Sequence, residues 1–450
     1  MSTSFAERPV VRATDDYMFP TPSQWTLDNG LTVYHFPTAG RMIFATVVSR
    51  PGVNAESRDR GGVATLLSRL RREGTAAFPG EEFLSTADGI GASLQVEADS
   101  AAQLTSISVP ETELLTGLAL LADSVIAPVL AEADLTRVRG MLLDELRFTR
   151  QDPTMRAQQE HYGMCFGERD RFSEPYAGSE RTIPQITRED TIMFHQAHSR
   201  PEHTTLIVGG RCDTEVLRRL VEDAFSTWQA GDIRRQGDGE PGTGQPKVMI
   251  VDRPGAAQTA IQIGGLICGP TDHRWARLQV AKQVLAGSMH SRLNALLREE
   301  KGYTYGVRGR LTPVAGRGIL EITTAVDTLS TGAALDDLVS TLTDLASNGI
   351  SEEEWRRARH ELLRGAALQY ETASALVNKA ADAIQHELPV DSVNHERRAI
   401  AAVTADEAAE AFAEAVSVKQ PYLALVGDAT EIEPAVRTLF NDSDVSVETR

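Results

Sequence analysis

The sequence predicts an α+β protein made of two homologous domains, each a largely antiparallel sheet flanked by helices. The chain has 450 residues, which exceeds the length at which one hydrophobic core stops growing. A turn-rich segment without periodicity, residues 230–247, lies near the midpoint and predicts a linker. On both sides of it the same order of elements recurs: a β-rich entry, a helix, further strands, long amphipathic helices and a closing helix and strand.

Two pairs of segments carry this repeat. Segment 132–148 aligns without a gap with segment 352–368, and both predict long amphipathic helices. Thr187 and Thr404 each precede an acidic residue by three positions, which predicts a capped helix that leads into a strand ending in glycine. The predicted divisions are an N-terminal extension (1–20), an N-terminal domain (21–229), the linker (230–247) and a C-terminal domain (248–450).

Composition excludes several classes of function. With 41% hydrophobic and 24% charged residues, the chain has no apolar run near the roughly 20 residues that a membrane span needs. A net charge of -18 disfavours binding to nucleic acid or anionic lipid. Cys165, Cys212 and Cys268 are scattered and odd in number, which argues against disulfides and against a cysteine zinc site. The segment 1–20 lacks the pattern of a secretory signal, and a cytoplasmic location is expected.

The segment 61–75, "GGVATLLSRLRREGT", predicts a buried helix. Val63, Leu66, Leu67 and Leu70 recur at helical spacing between a Gly-Gly turn and Gly74. Polar and basic residues nevertheless stand at Thr65, Ser68 and Arg69 of the same helix.

The chain resembles the pitrilysin or insulinase family of zinc peptidases, especially the short bacterial members and those similar to the mitochondrial processing peptidase. The resemblance covers nearly the whole chain, including "LDNGLTVYHFP", "LLDELRFTRQDP" and "FHQAHSRPEHTTLIVGG", and its most specific stretch is "VLAGSMHSRLNALLREEKGYTYGV". It implies two homologous domains in each chain, which form half of a clamshell that closes around a peptide.

Active members of this family carry H-x-x-E-H on a helix, in which two His residues bind zinc and the Glu activates water. The resemblance places Thr65 at the first His, Ser68 at the Glu and Arg69 at the second His, so all three functional residues are replaced. Glu145 follows Arg69 at the distance along the chain that the family's third ligand has from its second His. We expect no metal in this chain, and either an ion pair of Glu145 with Arg69 or an ordinary surface Glu.

The resemblance also implies a functional pair in the second half. Active members use an Arg and a Tyr seven positions apart to hold the substrate, and Arg298 and Tyr305 have this spacing in "LREEKGYTYG". A guanidinium and a phenol can both donate hydrogen bonds to a peptide carbonyl and to the oxyanion formed on it. The alternative is that Arg298 pairs with a neighbouring Glu and that Tyr305 fills the sheet; Tyr303 competes with Tyr305 for the role.

Other candidates are weaker. His195, His198 and His203 could form a metal cluster but are interpreted as the end of a helix and a turn, and His290 as a structural residue at a helix start. His360 and Glu361 lack a second His one turn away. Residues 91–109 alternate like a strand, and the resemblance makes this an edge strand to which substrate can add, with Gln95 where active members often have Asn.

Together these observations predict a subunit that is inactive alone. A homologous partner chain would supply the zinc site, and this chain would supply Arg298 and Tyr305 to cleave a short or unfolded peptide, such as a leader peptide. The alternatives are a structural member of the family and a homodimer that binds peptides without cutting them.

Overall fold

The computed structural model describes residues 17–231, 247–416, 421–440 and 444–449. Within these residues the chain forms two six-stranded sheets with flanking helices, which confirms the predicted α+β architecture. Residues 232–246 of the predicted linker and 1–16 of the predicted N-terminal extension lie outside the described residues. In this part of the chain, every helix is too short or too polar to cross a membrane.

The first sheet has the order β1-β2-β6-β3-β5-β4, in which only β2 and β6 run parallel to each other. Its strands are β1 (Ser23–Thr26), β2 (Thr32–Pro37), β3 (Met42–Ser49), β4 (Ser93–Ala98), β5 (Gln103–Pro110) and β6 (Thr204–Gly210). The helices of this half are α1 (Val63–Leu70), α2 (Glu81–Gly89), α3 (Leu114–Ile126), α4 (Glu132–Gln151), α5 (Pro153–Phe166), α6 (Arg188–His198) and α7 (Thr214–Phe225).

The second sheet has the order β12-β7-β11-β8-β10-β9, in which β7 runs parallel to β11 and β12. Its strands are β7 (Val248–Asp252), β8 (Gln258–Ile267), β9 (Arg308–Val314), β10 (Arg317–Asp327), β11 (Tyr422–Gly427) and β12 (Val445–Glu448). The helices of this half are α8 (Arg274–Lys282), α9 (Thr331–Asn348), α10 (Glu352–Arg364), α11 (Ala366–Gln369), α12 (Ala373–Gln385), α13 (Ser392–Ala402), α14 (Ala405–Ala415) and α15 (Ala429–Leu439). Gln283–Gly287 and Asn294–Glu300 are π-helical.

The internal repeat is confirmed. The long helices α4 and α10 begin at residues that the alignment of the two halves makes equivalent, Glu132 and Glu352. Thr187 and Thr404 each accept a hydrogen bond from the third backbone N–H of the following helix, and the acidic side chain at that position accepts one from the Thr backbone. Each of these capping boxes satisfies two groups that a helix end otherwise leaves unpaired. In both halves the capped helix leads into a central strand, β6 or β11.

The two halves exchange one helix each. α5, from the first half, packs on β8 and β11 of the second sheet, and its Ala157 and Met164 share a cluster with Ala260, Ala424 and Val426. α12, whose first residue is equivalent to that of α5 in the same alignment, packs on β3 and β6 of the first sheet. Because helices cover both faces of these sheets, the central strands are buried on both faces and lack a polar side.

One prediction about the first sheet was wrong in detail. Residues 91–109 were expected to form one strand, but they form a hairpin of β4 and β5, connected by residues 99–102. Both strands alternate, but the more buried positions change from even numbers in β4 to odd numbers in β5, and residues 99–102 contain no Gly or Pro to mark the turn. β4 lies at the edge of the sheet, and Gln95 is exposed on it.

Candidate functional site

Helix α1 begins at a glycine that has no room for a side chain. Gly62 has φ 97°, and a Cβ atom there would lie 2.5 Å from the carbonyl oxygen of Ala177. Glycine adopts this conformation without the steric cost that other residues incur. The helix has no cap from its own preceding side chain; instead the carboxylate of Glu56 accepts hydrogen bonds from the N–H groups of Gly62 and Ala64, at 2.9 and 2.7 Å.

A buried ion pair holds this carboxylate in place. The side chain of Glu56 is fully buried and that of Arg171 is 7% exposed, with Nη2 of Arg171 2.7 Å from Oε2 of Glu56. Arg171 also donates to the carbonyl oxygens of Glu174, Pro175 and Tyr176. Burial raises the pKa of Glu56, while Arg171 and the two backbone N–H groups act in the opposite direction. The start of α1 is therefore fixed by charged groups withdrawn from water.

Two of the three replaced zinc-motif positions make hydrogen bonds within the protein. Thr65 donates through Oγ1 to the carbonyl oxygen of Tyr176 at 3.2 Å. Ser68, which is 1% exposed, donates through Oγ to the carbonyl oxygen of Glu97 at 3.4 Å. Both hydroxyls thus connect α1 to neighbouring backbone, and neither is a ligand of the kind that zinc sites use.

Arg69, at the third replaced position, forms an ion pair with Glu145. This pair was one of the two alternatives expected from the sequence. Nη2 of Arg69 lies 2.7 Å from Oε2 of Glu145, and the two side chains are 29% and 56% exposed. Among the described residues, no three or more His, Cys, Asp or Glu are grouped so that they could hold a metal ion. Positions 65 and 68 carry hydroxyl groups, and the one carboxylate of the site, that of Glu145, is paired with the guanidinium of Arg69. These residues do not fit zinc.

Arg298 lies in the loop of residues 288–307, which we call the Arg–Tyr loop. It is on the π-helical segment Asn294–Glu300, and its side chain is 34% exposed. Its Nη1 donates to Sδ of Met289 at 2.9 Å, and its Nε lies 3.5 Å from a carboxylate oxygen of Glu299. Sulfur is a weak acceptor and the carboxylate contact is long, so most of the guanidinium donors remain available.

Tyr305 and Tyr303 differ sharply in environment. Tyr305 is 92% exposed, whereas Tyr303 is partly buried and packs against the core of the second half. The backbone N–H of Tyr303 donates to the carbonyl oxygen of Leu297 at 2.9 Å, which fixes this part of the loop. The phenol of Tyr305 is therefore the one free to meet a ligand. No hydrogen bond or ion pair in the described part of the chain connects Arg298 or Tyr305 to α1.

A buried asparagine closes the Arg–Tyr loop. Asn294 is 3% exposed, and its Nδ2 donates to the carbonyl oxygens of Ser288 and Val307 at 3.0 and 2.8 Å. Its Oδ1 accepts from the N–H of Val307 at 2.9 Å. Arg298 and Tyr305 lie between these contacts, so Asn294 positions both. Sequence analysis missed this residue; the only sign of it was an amide within the apolar run "LNALL".

A second contact attaches the loop to the helices behind it. Arg292 donates through Nε and Nη2 to Glu354, at 2.7 and 2.8 Å, and through Nη1 to Asp344 at 2.9 Å. It also donates to the carbonyl oxygen of Gly349. The hydrogen bonds from Arg292 lower the pKa of Glu354 to about 2. The loop is thus held against α9 and α10.

His195 and His198 pack within the first half, whereas His203 is exposed. Burial lowers the pKa of both His195 and His198 to about 4, so both rings are neutral at pH 7. Nε2 of His195 lies 3.3 Å from the carbonyl oxygen of Ile126, and the ring of His198 packs at a tilt against that of Phe194, with centroids 4.6 Å apart. His203 ends a 3₁₀ turn before β6, as interpreted from the sequence.

Three further residues considered in the sequence, His290, His360 and Glu361, have ordinary surroundings. His290 is exposed in the turn that precedes Asn294. Glu361 on α10 accepts a hydrogen bond from Nε2 of Gln283 at 2.8 Å, and His360 precedes it on the same helix. These contacts are typical of surface helices.

Comparison with known families identifies both halves. Residues 45–163 match the model of insulinase, peptidase family M16, and residues 185–362 match the model described as the peptidase M16 inactive domain. The first match includes α1 and Glu145, and the second includes Arg298 and Tyr305.

Curated relatives are similar over most of their length. A protein of Mycobacterium tuberculosis described as an uncharacterised zinc protease is 26% identical over 364 residues, which covers 79% of this chain and 82% of that protein. A Streptomyces coelicolor protein with the same description is 24% identical over 417 residues and covers 90% of both chains. A Bacillus subtilis protein of this description, YmxG, is 22% identical over 360 residues, or 79% of this chain and 86% of that one.

Solved structures share the fold. The peptidase M16 inactive domain from Pseudomonas fluorescens superposes with a TM-score of 0.83 at 19% identity, covering 91% of this chain and 98% of that one. A protease from Helicobacter pylori gives the same TM-score at 16% identity and covers 91% and 100%. The family models, the repeated fold and the replaced zinc motif agree: the chain belongs to the insulinase (M16) peptidase family, as a member that lacks the zinc-binding residues.

Proposed function

We propose that this chain is the non-zinc subunit of a heterodimeric zinc metallopeptidase, inactive alone. A homologous partner supplies the metal site, and Arg298 and Tyr305 of this chain bind the peptide substrate and stabilise the oxyanion that forms during cleavage. The proposal rests on the lost metal ligands at positions 65 and 69, since without them α1 cannot hold the metal ion with which active members of the family activate water.

The observation that carries the proposal is the exposure of Tyr305. A tyrosine that only filled the sheet would be buried, as Tyr303 partly is, but Tyr305 is 92% exposed on a loop that Asn294 holds in place. Exposing a large aromatic ring to water on a fixed loop has no benefit for stability. A ligand contact explains both the exposure and the fixed loop.

The chemistry of the pair is that of hydrogen-bond donation. The guanidinium of Arg298 offers several N–H donors in one plane, and the phenol of Tyr305 offers an O–H donor of the kind used in oxyanion holes. Removing one such donor typically costs about 3 kcal/mol in the barrier, or a factor of about 10² to 10³ in rate. The substrate we expect is a short or unfolded peptide, with leader-peptide processing as the biological role.

The test is reconstitution with a zinc-bearing partner of the same family, followed by a peptide cleavage assay. We expect Arg298→Ala and Tyr305→Phe to lower kcat by about 10² or more each, with a smaller effect on KM. Arg308→Ala and Tyr303→Phe are matched controls on the same loop and the adjoining strand, and they should stay near the wild-type rate.

Three results would contradict the proposal in different ways. Wild-type rates in both Arg298→Ala and Tyr305→Phe would remove these residues from the mechanism. Chelator-sensitive cleavage by this chain alone would show that it has a metal site of its own. Peptide binding by the isolated chain, with no partner that confers cleavage, would favour the alternative of a peptide-binding or structural member of the family.

A further inference from the structure

The C-terminal end of α1 contains a guanidinium that is completely buried. Three arginines lie close together in this part of the sequence, at positions 69, 71 and 72. Arg69 is paired with Glu145 and Arg72 is partly exposed, but Arg71 has a relative exposure of 0%. Arg71 is also the largest fully buried side chain among the described residues. Neither the replaced zinc motif nor the Arg–Tyr loop explains its position.

The charge of Arg71 has no counter-charge in the described part of the chain, since no Asp or Glu there forms an ion pair with it. Burial lowers the pKa of this guanidinium to about 10, and no described carboxylate opposes the shift. A group with this pKa is still charged at pH 7. A charge withdrawn from water is costly unless an opposite charge or a full set of hydrogen bonds compensates it. The interior therefore lacks one negative charge beside Arg71.

The hydrogen bonds of Arg71 are also incomplete. Its Nη2 donates to Oγ of Ser199 at 2.7 Å, whereas Nε and Nη1 are buried and have no partner in the residues that the structure describes. Ser199 is itself 4% exposed, and its carbonyl oxygen accepts from Nε1 of Trp228 at 3.2 Å, which holds this contact in place. The hydroxyl of Ser199 accepts from Arg71 and keeps its own hydrogen to donate. Donors from two side chains thus remain unused inside the described part of the protein.

The groups around Arg71 add positive rather than negative charge. Burial, followed by the charges of Arg71 and Arg200, lowers the pKa of His195 on α6 to about 4. Among the described residues, Nδ1 of His195 and Nε of Arg200 are also buried without partners, and no carboxylate pairs with Arg200. We call Arg71, His195, Ser199 and Arg200 the Arg71 cluster. Buried polar atoms without partners are rare in native proteins, so four such nitrogens in one cluster indicate a group that the chain itself does not supply.

We propose that the Arg71 cluster binds one small inorganic anion such as chloride, enclosed where α1 packs on α6. The anion supplies the missing negative charge and accepts hydrogen bonds from Nε and Nη1 of Arg71 and from the hydroxyl of Ser199. The unpartnered atoms have almost no accessible surface, so a peptide carboxylate or another bulky anion cannot reach them from outside. A water molecule would accept the same hydrogen bonds but would bring no charge. The proposal is independent of the proposed function and concerns how α1 is held.

The first test is anomalous diffraction from crystals of the full chain grown with sodium bromide, because bromide replaces chloride and its anomalous signal identifies it. We expect an anomalous peak in contact with Nε and Nη1 of Arg71. A peak in the ordinary density without an anomalous signal would identify a water molecule and overturn the proposal. Absence of any density beside the guanidinium would overturn it too. This test needs no variant, so it does not depend on how a substitution affects folding.

The second test compares the melting temperature in sodium chloride with that in sodium gluconate at the same concentration. Arg71→Met removes the charge and measures how the two salts act without the site. At a chloride concentration about 100 times the Kd, chloride should raise the Tm of the wild type by about 3 °C more than that of Arg71→Met. Arg71→Lys keeps the charge but not the planar donors, and it should retain part of this difference.

Arg356→Met is the matched control, because it removes a guanidinium whose side chain is 56% exposed on α10. This variant should respond to chloride as the wild type does. An equal response of the wild type and Arg71→Met to chloride would overturn the proposal, and so would a loss of the response in Arg356→Met. Failure of the cleavage assay has no bearing on either test, since Arg298 and Tyr305 take no part in the Arg71 cluster.

Discussion

Helix α1 and the Arg–Tyr loop are the two regions to which the resemblance assigns functional residues, and they differ in this chain. α1 has a buried apolar face, a glycine entry and a start fixed by the Glu56–Arg171 pair, but its zinc-motif positions 65, 68 and 69 carry Thr, Ser and Arg. The Arg–Tyr loop keeps both outward side chains and is fixed from behind by Asn294 and Arg292. Packing therefore persists where chemistry has been lost.

This difference shows that the residues that hold α1 in the fold are not the residues at its zinc-motif positions. Leu66 and Leu67 are fully buried, and changing them would leave cavities in a core shared with α4 and α6. Positions 65 and 69 lie on the more open side of the same helix, where polar residues find other partners at little cost. A helix can thus lose a metal site without losing its place in the fold.

The largest effect that we expect comes from breaking the support of α1. Glu56→Gln leaves the guanidinium of Arg171 buried without a carboxylate, and such a broken buried pair typically costs about 3–5 kcal/mol. We expect a lower free energy of unfolding by this amount in urea denaturation. Glu354→Gln, the corresponding change behind the Arg–Tyr loop, should cost only about 1–2 kcal/mol, because Arg292 keeps Asp344 and is partly exposed. Equal losses in the two variants would contradict the comparison.

A smaller effect is expected from Asn294→Ala. This change leaves the N–H and carbonyl of Val307 without their partners, which costs about 1–3 kcal/mol of stability. In the assembled peptidase kcat should fall while both donors remain present, because Asn294 only positions them. Asn348→Ala removes an exposed asparagine on α9 and serves as the control. Unchanged kcat in a folded Asn294→Ala protein would show that the loop does not need this closure.

The smallest effect is expected at the replaced metal site. The Arg69–Glu145 pair is partly open to water, and pairs of this kind contribute at most about 1 kcal/mol. A double-mutant cycle with Arg69→Met and Glu145→Gln should give a coupling energy below that value, falling further at high salt. A coupling energy above about 2 kcal/mol would mean that the pair has become a structural element in place of the metal.

Much of the fold could be predicted from the sequence because it is encoded locally. The matching amphipathic segments that begin at Glu132 and Glu352 and the capping residues Thr187 and Thr404 predicted the repeat, which the two sheets confirm. The hairpin of β4 and β5 was missed because both strands alternate and the connecting residues 99–102 contain no Gly or Pro. The functional roles of Arg298 and Tyr305 stay a prediction until the assay is done.

The remaining features depend on residues distant in sequence. Glu56 and Arg171 meet across 115 positions, and α12 covers the first sheet only because it crosses from the second half. No periodicity or spacing rule in the sequence relates such distant residues. The exchange of α5 and α12 depends on how whole helices pack on the two sheets. Sequence reasoning therefore locates the zinc-motif positions of α1 better than the distant contacts that hold this helix in place.

The exchange of α5 and α12 also affects how the chain can fold during its synthesis. During synthesis the first sheet lacks the helix that covers one of its faces until residues 373–385 have left the ribosome, so neither half can complete its core in isolation. A chain cut between residues 231 and 247 would yield two fragments that each hold the other's missing helix. Such fragments should reassemble on mixing, which makes this protein a natural scaffold for fragment complementation.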